Sequence, residues 1–224
     1  MTLERLVPAH IPFLFAGLGF PQNNHIVDQI IGFPHVKTVK ELSDYLLGYL
    51  HDTPNLTIYV LKASASHLGP PSPAGVHAHK DALGLMGYRL NPRSRVIKWD
   101  DVIYAPALRH SYAGTEAHFI MLCHLFETQT VAYQRLWLTS DTMNTESRRY
   151  TERLGYVYEG TFRKDNITRF GTTRNSDVLR MLDEEWPVTK KLLQSWLLAD
   201  NFDADGKQIK SLHELRNSQN KSLL

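Results

Sequence analysis

Tyr104-Ala-Pro-Ala-Leu-Arg-His-Ser-Tyr-Ala-Gly-Thr-Glu116 joins a strand-like run to a long apolar segment. The run before it, Val96–Tyr104, is rich in β-branched and aromatic residues. After it, residues 115–127 place Ala117, Phe119, Ile120, Met121, Leu122, Cys123, Leu125 and Phe126 around almost the whole circumference of a helix. Such a helix is buried on more than one side. A small-residue turn between a strand and the start of a buried helix offers free backbone N–H groups at the positive end of the helix dipole. That is a receptor for phosphate or pyrophosphate, or simply a strand-to-helix connection, and both readings stand at this point. The stretch contains neither a Walker A loop nor G-x-G-x-x-G.

Working outward, Leu56–Lys62 is β-rich, and residues 82–90 with Val96–Tyr104 form an antiparallel meander turning at Asn91, Pro92 and Ser94. Upstream, Thr38 is an N-cap with Glu41 three residues on, and Leu42, Tyr45, Leu46 and Tyr49 share one helical face. Residues 11–20 are apolar, but Pro12, Gly17 and Gly19 within them predict core packing rather than a membrane span. Residues 63–80, rich in proline, glycine and serine, read as a mobile surface loop between two strands. Downstream, residues 135–139 are a strand, and Asn144 caps a helix that runs to Leu154 and stops at Gly155. Residues 156–162 and 176–182 are a closing strand pair, and 184–198 a last helix. The expectation is an α/β (α+β) domain over residues 1–198, carrying the 63–80 insertion, followed by a polar, partly ordered tail at 199–224.

A chain of 224 residues with 42% hydrophobic and 21% charged residues has the composition of one globular domain with insertions. A formal net charge of +2 is too small for an electrostatic nucleic-acid footprint. The single cysteine, Cys123, rules out an internal disulfide and any cysteine-based zinc cluster. The expected setting is cytoplasmic, with no membrane and no nucleic-acid partner, as a monomer or homodimer.

Residues 109–117, with Arg109, Gly114 and Thr115-Glu-Ala117, resemble the acyl-CoA loop of the GCN5-related N-acetyltransferases. Three further segments are similar, in the same order, to motifs of the branch that acetylates ribosomal-protein N-termini. They are Asn144-Thr-Glu-Ser147, Arg153-Leu-Gly-Tyr156 and Glu159-Gly-Thr-Phe-Arg163. Residues 183–187 and 201–203 resemble fungal members of that branch. The resemblance implies a mostly antiparallel, splayed sheet flanked by helices, with acetyl-CoA as cosubstrate and no metal. It implies that the pantetheine arm pairs with the backbone of Val102, Ile103 and Tyr104, and that the pyrophosphate rests on His110, Ser111, Tyr112, Ala113, Gly114 and Thr115 beside Arg109. Asn144 and Ser147 would face the cofactor arm, Asn144 also serving as helix N-cap. Arg148 and Arg149 are either phosphate contacts or solvated surface charges.

Two positions depart from the resemblance. Tyr112 stands where the loop has its first glycine, so either the backbone approaches the pyrophosphate less closely or the loop takes a conformation open to a bulky residue. Thr151 stands where many members have a tyrosine that protonates the departing thiolate, while Tyr150 points about a hundred degrees away around the helix. Ser147 is then the candidate proton donor. The implied chemistry is direct attack of a deprotonated amine, a small molecule or a protein N-terminus, on the thioester in a ternary complex. The oxyanion donor would be a backbone N–H near Ile103. Of Asp100 and Asp101, strand alternation puts one on the substrate side; Asp101 is the candidate, against the reading of a solvated strand acid. Tyr112 and Thr151 motivate the alternative, a weakly catalytic CoA- or protein-binding regulatory module. His67, His77 and His79 make a poor metal cage. Asn201, Asp203 and Asp205 begin an EF-hand-like run, but Leu212 replaces the required terminal acid, leaving a side-chain-stabilised turn.

Overall fold

The structure, a computed structural model, describes residues 1–63 and 82–221, with side chains to residue 218. The expected loop beyond Ala63, with His67, His77 and His79, lies outside the described residues. Seven strands form one sheet in the order β1-β2-β3-β4-β5-β7-β6. They are β1 (Thr2–Arg5), β2 (Leu56–Lys62), β3 (Ala82–Asn91), β4 (Val96–Tyr104), β5 (Arg135–Asp141), β6 (Val157–Ile167) and β7 (Thr173–Leu182). All neighbours are antiparallel except β4 and β5. This is the mixed α/β, mostly antiparallel sheet flanked by helices that the sequence predicts. The short edge strand β1 has no counterpart in the sequence reading.

The parallel pair is brief. Val96–Lys98 pairs with Arg135–Trp137, and beyond that the two strands part, β4 keeping only β3 and β5 only β7. A β-bulge lies where they separate: Tyr88 opposes Trp99 and Met86 opposes Val102, leaving Asp100 and Asp101 together across from Gly87. An extra residue on one strand bends it and increases its twist. The slip shows in the side chains, because Trp99 and Tyr104, five residues apart, both turn toward helices of the same face. Trp99 packs 5.2 Å from His118 and Tyr104 6.0 Å from Tyr150, ring centre to ring centre.

The helices form where their ends are satisfied. In α2 (Val39–Asp52), Thr38 Oγ1 accepts the Glu41 N–H at 3.2 Å while the Glu41 carboxylate accepts the Lys37 N–H at 2.7 Å. Its buried face is Leu42 and Leu46. The segment 11–20 folds as α1 (Ile11–Gly17) and a turn, burying Ile11, Leu14, Leu18 and Phe20. The central helix, expected at 115–127, is α3 (Tyr112–Glu127). It starts three residues early because Ser111 Oγ accepts the Gly114 N–H at 3.0 Å and donates to Leu108 O at 2.7 Å, capping the extra turn. Helix α4 (Thr145–Arg153) is capped by Asn144 Oδ1 on the Ser147 N–H at 3.1 Å and ends before Gly155 at φ +104°. Helix α5 (Trp186–Trp196) buries Trp186, Leu192, Leu193 and Trp196.

The segment after Ala199 is more ordered than its polar composition implies. The Asn201 amide donates to Trp196 O and Lys210 O and accepts the Lys210 N–H, which folds the chain back on itself. Phe202 packs against Tyr112 and Trp196, and Leu212, the first residue of α6 (Leu212–Lys221), is fully buried. Asp203 Oδ1 accepts the N–H groups of Asp205 and Lys207, so this run is the side-chain-stabilised turn expected of it. No helix among the described residues is long and apolar enough to cross a membrane.

Candidate functional site

A cleft of about 1050 Å³ opens where β4 and β5 part. One wall is backbone. Beyond Lys98 and Trp137 the facing edges of β4 and β5 have no strand between them, so an amide-bearing ligand can add as one. At the mouth, the N-terminus of α3 points its first turn into the cleft, and no backbone N–H of residues 110–113 finds a protein acceptor among the described residues. That is the arrangement a phosphate binds. His110 sits at φ +56°, a left-handed conformation uncommon in a non-glycine residue, where the chain enters the capping turn. Gly114 is required for packing, because a Cβ there would lie 2.5 Å from Leu108 O.

Tyr112 resolves the first departure. As the first residue of α3 it has helical backbone, which makes no demand for glycine. Its ring stacks on Trp196 at 6.0 Å and meets Phe202 edge-on at 5.2 Å, and its hydroxyl donates to Leu197 O at 2.9 Å. The bulk is therefore turned toward the C-terminal segment, which it anchors. Lys207 and Gln208 of that segment reach the cleft rim beside Arg109 and His110.

The opposite wall is made of side chains. The expectation from alternation that only one acid faces the cleft is overturned: the bulge lets both Asp100 and Asp101 line it. They differ in their surroundings. The Asp100 side chain is 5% exposed; its Oδ1 is paired with Arg89 Nη2 at 2.5 Å and lies 3.8 Å from Lys98 Nζ, while its Oδ2 is buried without a hydrogen-bond partner. Asp101 has no ion pair among the described residues. Burial, and then repulsion from Asp100, push its carboxyl up to about 7, with Lys98 and Arg89 opposing. Tyr49 of α2 lines the same wall, its phenol raised above the usual range by burial and by the two acids.

Of the sequence-predicted positions, Asp101, Val102, Ile103, Tyr104, Arg109, His110, Ser111, Tyr112, Gly114, Thr115, Asn144 and Ser147 all line this cleft. Ala113 does not; it lies in the first turn of α3 and is fully buried. Arg148 and Arg149 do not line it either. Arg148 is bound to Glu152 and Asp177 and stacks over Tyr158 at 4.2 Å. Arg153 does line it, with Nη1 donating to Thr115 Oγ1 at 3.1 Å and its guanidinium 4.7 Å from the Trp196 ring centre.

Thr151 cannot stand in for the absent tyrosine, since its hydroxyl is tied to Ser147 O and Arg148 O. The Ser147 hydroxyl lines the cleft with no hydrogen bond among the described residues. Tyr150 does reach the cleft, a placement that helical geometry alone did not supply. Its hydroxyl donates to Gly114 O at 3.0 Å and lies 3.3 Å from Tyr104 Oη, and burial pushes it up to about 12. Behind it, Tyr156 Oη is shared by Trp99 Nε1 at 2.6 Å and His118 Nε2 at 3.0 Å; burial drives His118 down to about 3, so it stays neutral. Cys123 is outside the cleft, and burial pushes its thiol up.

No protein-family model and no curated protein matches the chain. Solved structures do. A GCN5-related N-acetyltransferase from Brucella melitensis is similar with a TM-score of 0.81 and 26% identity over 96% of this chain and 90% of that one. A spermidine N-acetyltransferase from Vibrio cholerae, in complex with CoA and spermine, shares the fold with a TM-score of 0.61 and 16% identity, covering 83% of this chain and 97% of that one. The chain has the fold of the GCN5-related N-acetyltransferases.

Proposed function

We propose that the protein is an N-acetyltransferase that moves an acetyl group from acetyl-CoA to a primary amine by direct attack in a ternary complex. One observation carries this reading: where β4 leaves β5, a single cleft holds the open strand edges, the N-terminus of α3 and Asp101, a carboxyl with no ion pair among the described residues. The similarity to structures of acetyltransferases supports it. The residues present fit the cosubstrate. The open edges of β4 and β5 suit its amide-bearing arm, the free N–H groups of residues 110–112 suit its pyrophosphate, and Arg109, Arg153 and Lys207 supply positive charge at the mouth. When bound, acetyl-CoA supplies a thioester activated for attack.

The chain's own groups do the rest. An ammonium has no lone pair, so a base must remove its proton. Asp101, which lines the cleft without an ion pair among the described residues, takes the proton, its raised value matching an amine's proton better than an ordinary carboxylate would. A backbone N–H of β4 near Ile103 stabilises the developing oxyanion. The Ser147 hydroxyl donates the proton on the leaving-group side, since it alone among Ser147, Tyr150 and Thr151 has no protein acceptor. Tyr150 orders the wall by binding Gly114 O. The motifs at 144–163 support the branch acting on ribosomal-protein N-termini, so acceptors to be assayed include protein N-termini and small amines.

The test is titration of acetyl-CoA by calorimetry, then thiol release with an amine panel. The transferase reading expects binding and turnover. Absence of binding contradicts it, and binding without turnover on a broad panel favours the regulatory module.

A further inference from the structure

Resting on the transferase reading of this cleft, we infer that the acceptor is an amine that also carries a carboxylate, a zwitterion of the amino-acid class, and that Arg174 binds the carboxylate. Arg174 of β7 is 6% exposed and lines the cleft. Buried charges are ordinarily paired with an opposite charge. Arg174 has no ion pair among the described residues; its partners are neutral, with Nε donating to Ser176 Oγ at 2.9 Å and Nη1 to Gln29 O at 3.0 Å. A guanidinium carries five N–H donors in a planar fork. Nη2 has no protein acceptor, and it is not among the polar atoms sealed from solvent. The acid nearest in sheet register, Asp141 opposite Ser176, has its Oδ1 on the Met143 N–H and lies beyond ion-pair distance.

Of the other arginines at the cleft, Arg89 pairs with Asp100, Arg153 stacks on Trp196, and Arg109 is exposed at the mouth. Arg174 differs in combining deep burial with the absence of an ion pair and an open Nη2, and a guanidinium's planar fork suits a carboxylate. The same cleft holds an acid with no ion pair among the described residues, Asp101. An unpaired acid and an unpaired guanidinium in one cavity are satisfied together by a molecule bearing both an amine and a carboxylate. A polyamine satisfies only the acid and brings a second cation toward Arg174.

The experiment is calorimetric titration of α- and ω-amino acids, each beside its own carboxamide and with spermidine as comparison, into the full chain saturated with CoA. At least one amino acid is expected to bind tenfold or more tightly than its carboxamide, the size of a charge-assisted bidentate contact (on the order of ten- to a hundredfold). Arg174→Gln is expected to shrink that ratio to within about twofold, Arg174→Lys to retain part of it, and neither to change CoA affinity. Equal binding of every acid and its amide, or spermidine binding more tightly than every amino acid, overturns the inference. If Arg174→Gln fails to fold, the acid–amide comparison on the wild-type chain decides alone. A carboxylate preference without thiol release from acetyl-CoA contradicts the transferase reading and leaves carboxylate recognition standing. Thiol release with acids and amides alike does the reverse.

Discussion

The two walls of the cleft are built from different materials. The wall proposed for the cofactor is backbone: the N–H groups at the start of α3 and the facing edges of β4 and β5. The wall proposed for the acceptor is side chains gathered from distant segments: Tyr49 of α2, the bulged pair Asp100 and Asp101 of β4, and Arg174 of β7, steadied by the carbonyl of Gln29. A backbone surface needs particular small or capping residues at fixed spacing, so it leaves a local motif. A side-chain surface needs only that certain residues meet in space. On the proposed reading, the first kind of wall constrains how a ligand is held, and the second decides which amine is held and when it loses its proton.

That contrast defines ways to break each wall separately. Asp101→Asn is expected to lower kcat/KM by about a hundred- to a thousandfold at pH 7, with acetyl-CoA affinity unchanged within about twofold, measured by thiol release and calorimetry. It is also expected to alter stability. A carboxyl raised from 3.8 to about 7 adds stability that is fully present below about pH 4 and is lost as pH rises through 7. Wild type therefore loses stability relative to Asp101→Asn across that window, and melting temperatures should show the variant gaining most at pH 8 and nothing near pH 4.

Gly114→Val attacks the other wall. With Leu108 O 2.5 Å from any Cβ, the first turn of α3 must shift, and acetyl-CoA affinity is expected to fall at least about tenfold in a calorimetric titration. Ser147→Ala is expected to lower kcat by about tenfold with the dissociation constant for acetyl-CoA nearly unchanged, while Tyr150→Phe has the smaller effect on kcat; the reverse order would transfer the proton-donor role to Tyr150. The smallest effect is Tyr112→Phe. Loss of one hydrogen bond to Leu197 O should lower stability by about 1 kcal/mol in denaturant unfolding without altering turnover.

The same division explains what was legible in the sequence. The strands β2 and β4, the cap at Thr38, the cap at Asn144 and the stop at Gly155 depend on local propensity and appear where the residues place them. The early start of α3 was missed because apolar periodicity marks the buried face, whereas Ser111 marks the end. The bulge was missed because alternation assumes an unbroken register; nothing local in Trp-Asp-Asp-Val announces that Gly87 will oppose two residues. The ordering of 199–221 rests on Asn201, Phe202 and Leu212 finding partners far along the chain, a property that composition does not report. Arg174 lies in the stretch expected to be a polar loop between the strands 156–162 and 176–182, where a lone arginine gives no signal, and it enters β7 only because that strand begins at Thr173.

The central claim is that Asp101 is the base of an acetyl transfer, and the most direct measurement is the pH dependence of kcat/KM for thiol release from acetyl-CoA with the best acceptor. The base acts only when ionised, so kcat/KM should rise about tenfold per pH unit below 7 and bend near pH 7, and Asp101→Asn should abolish that bend along with most of the rate. An Asp101→Asn variant that keeps the wild-type rate and the same bend would contradict the account.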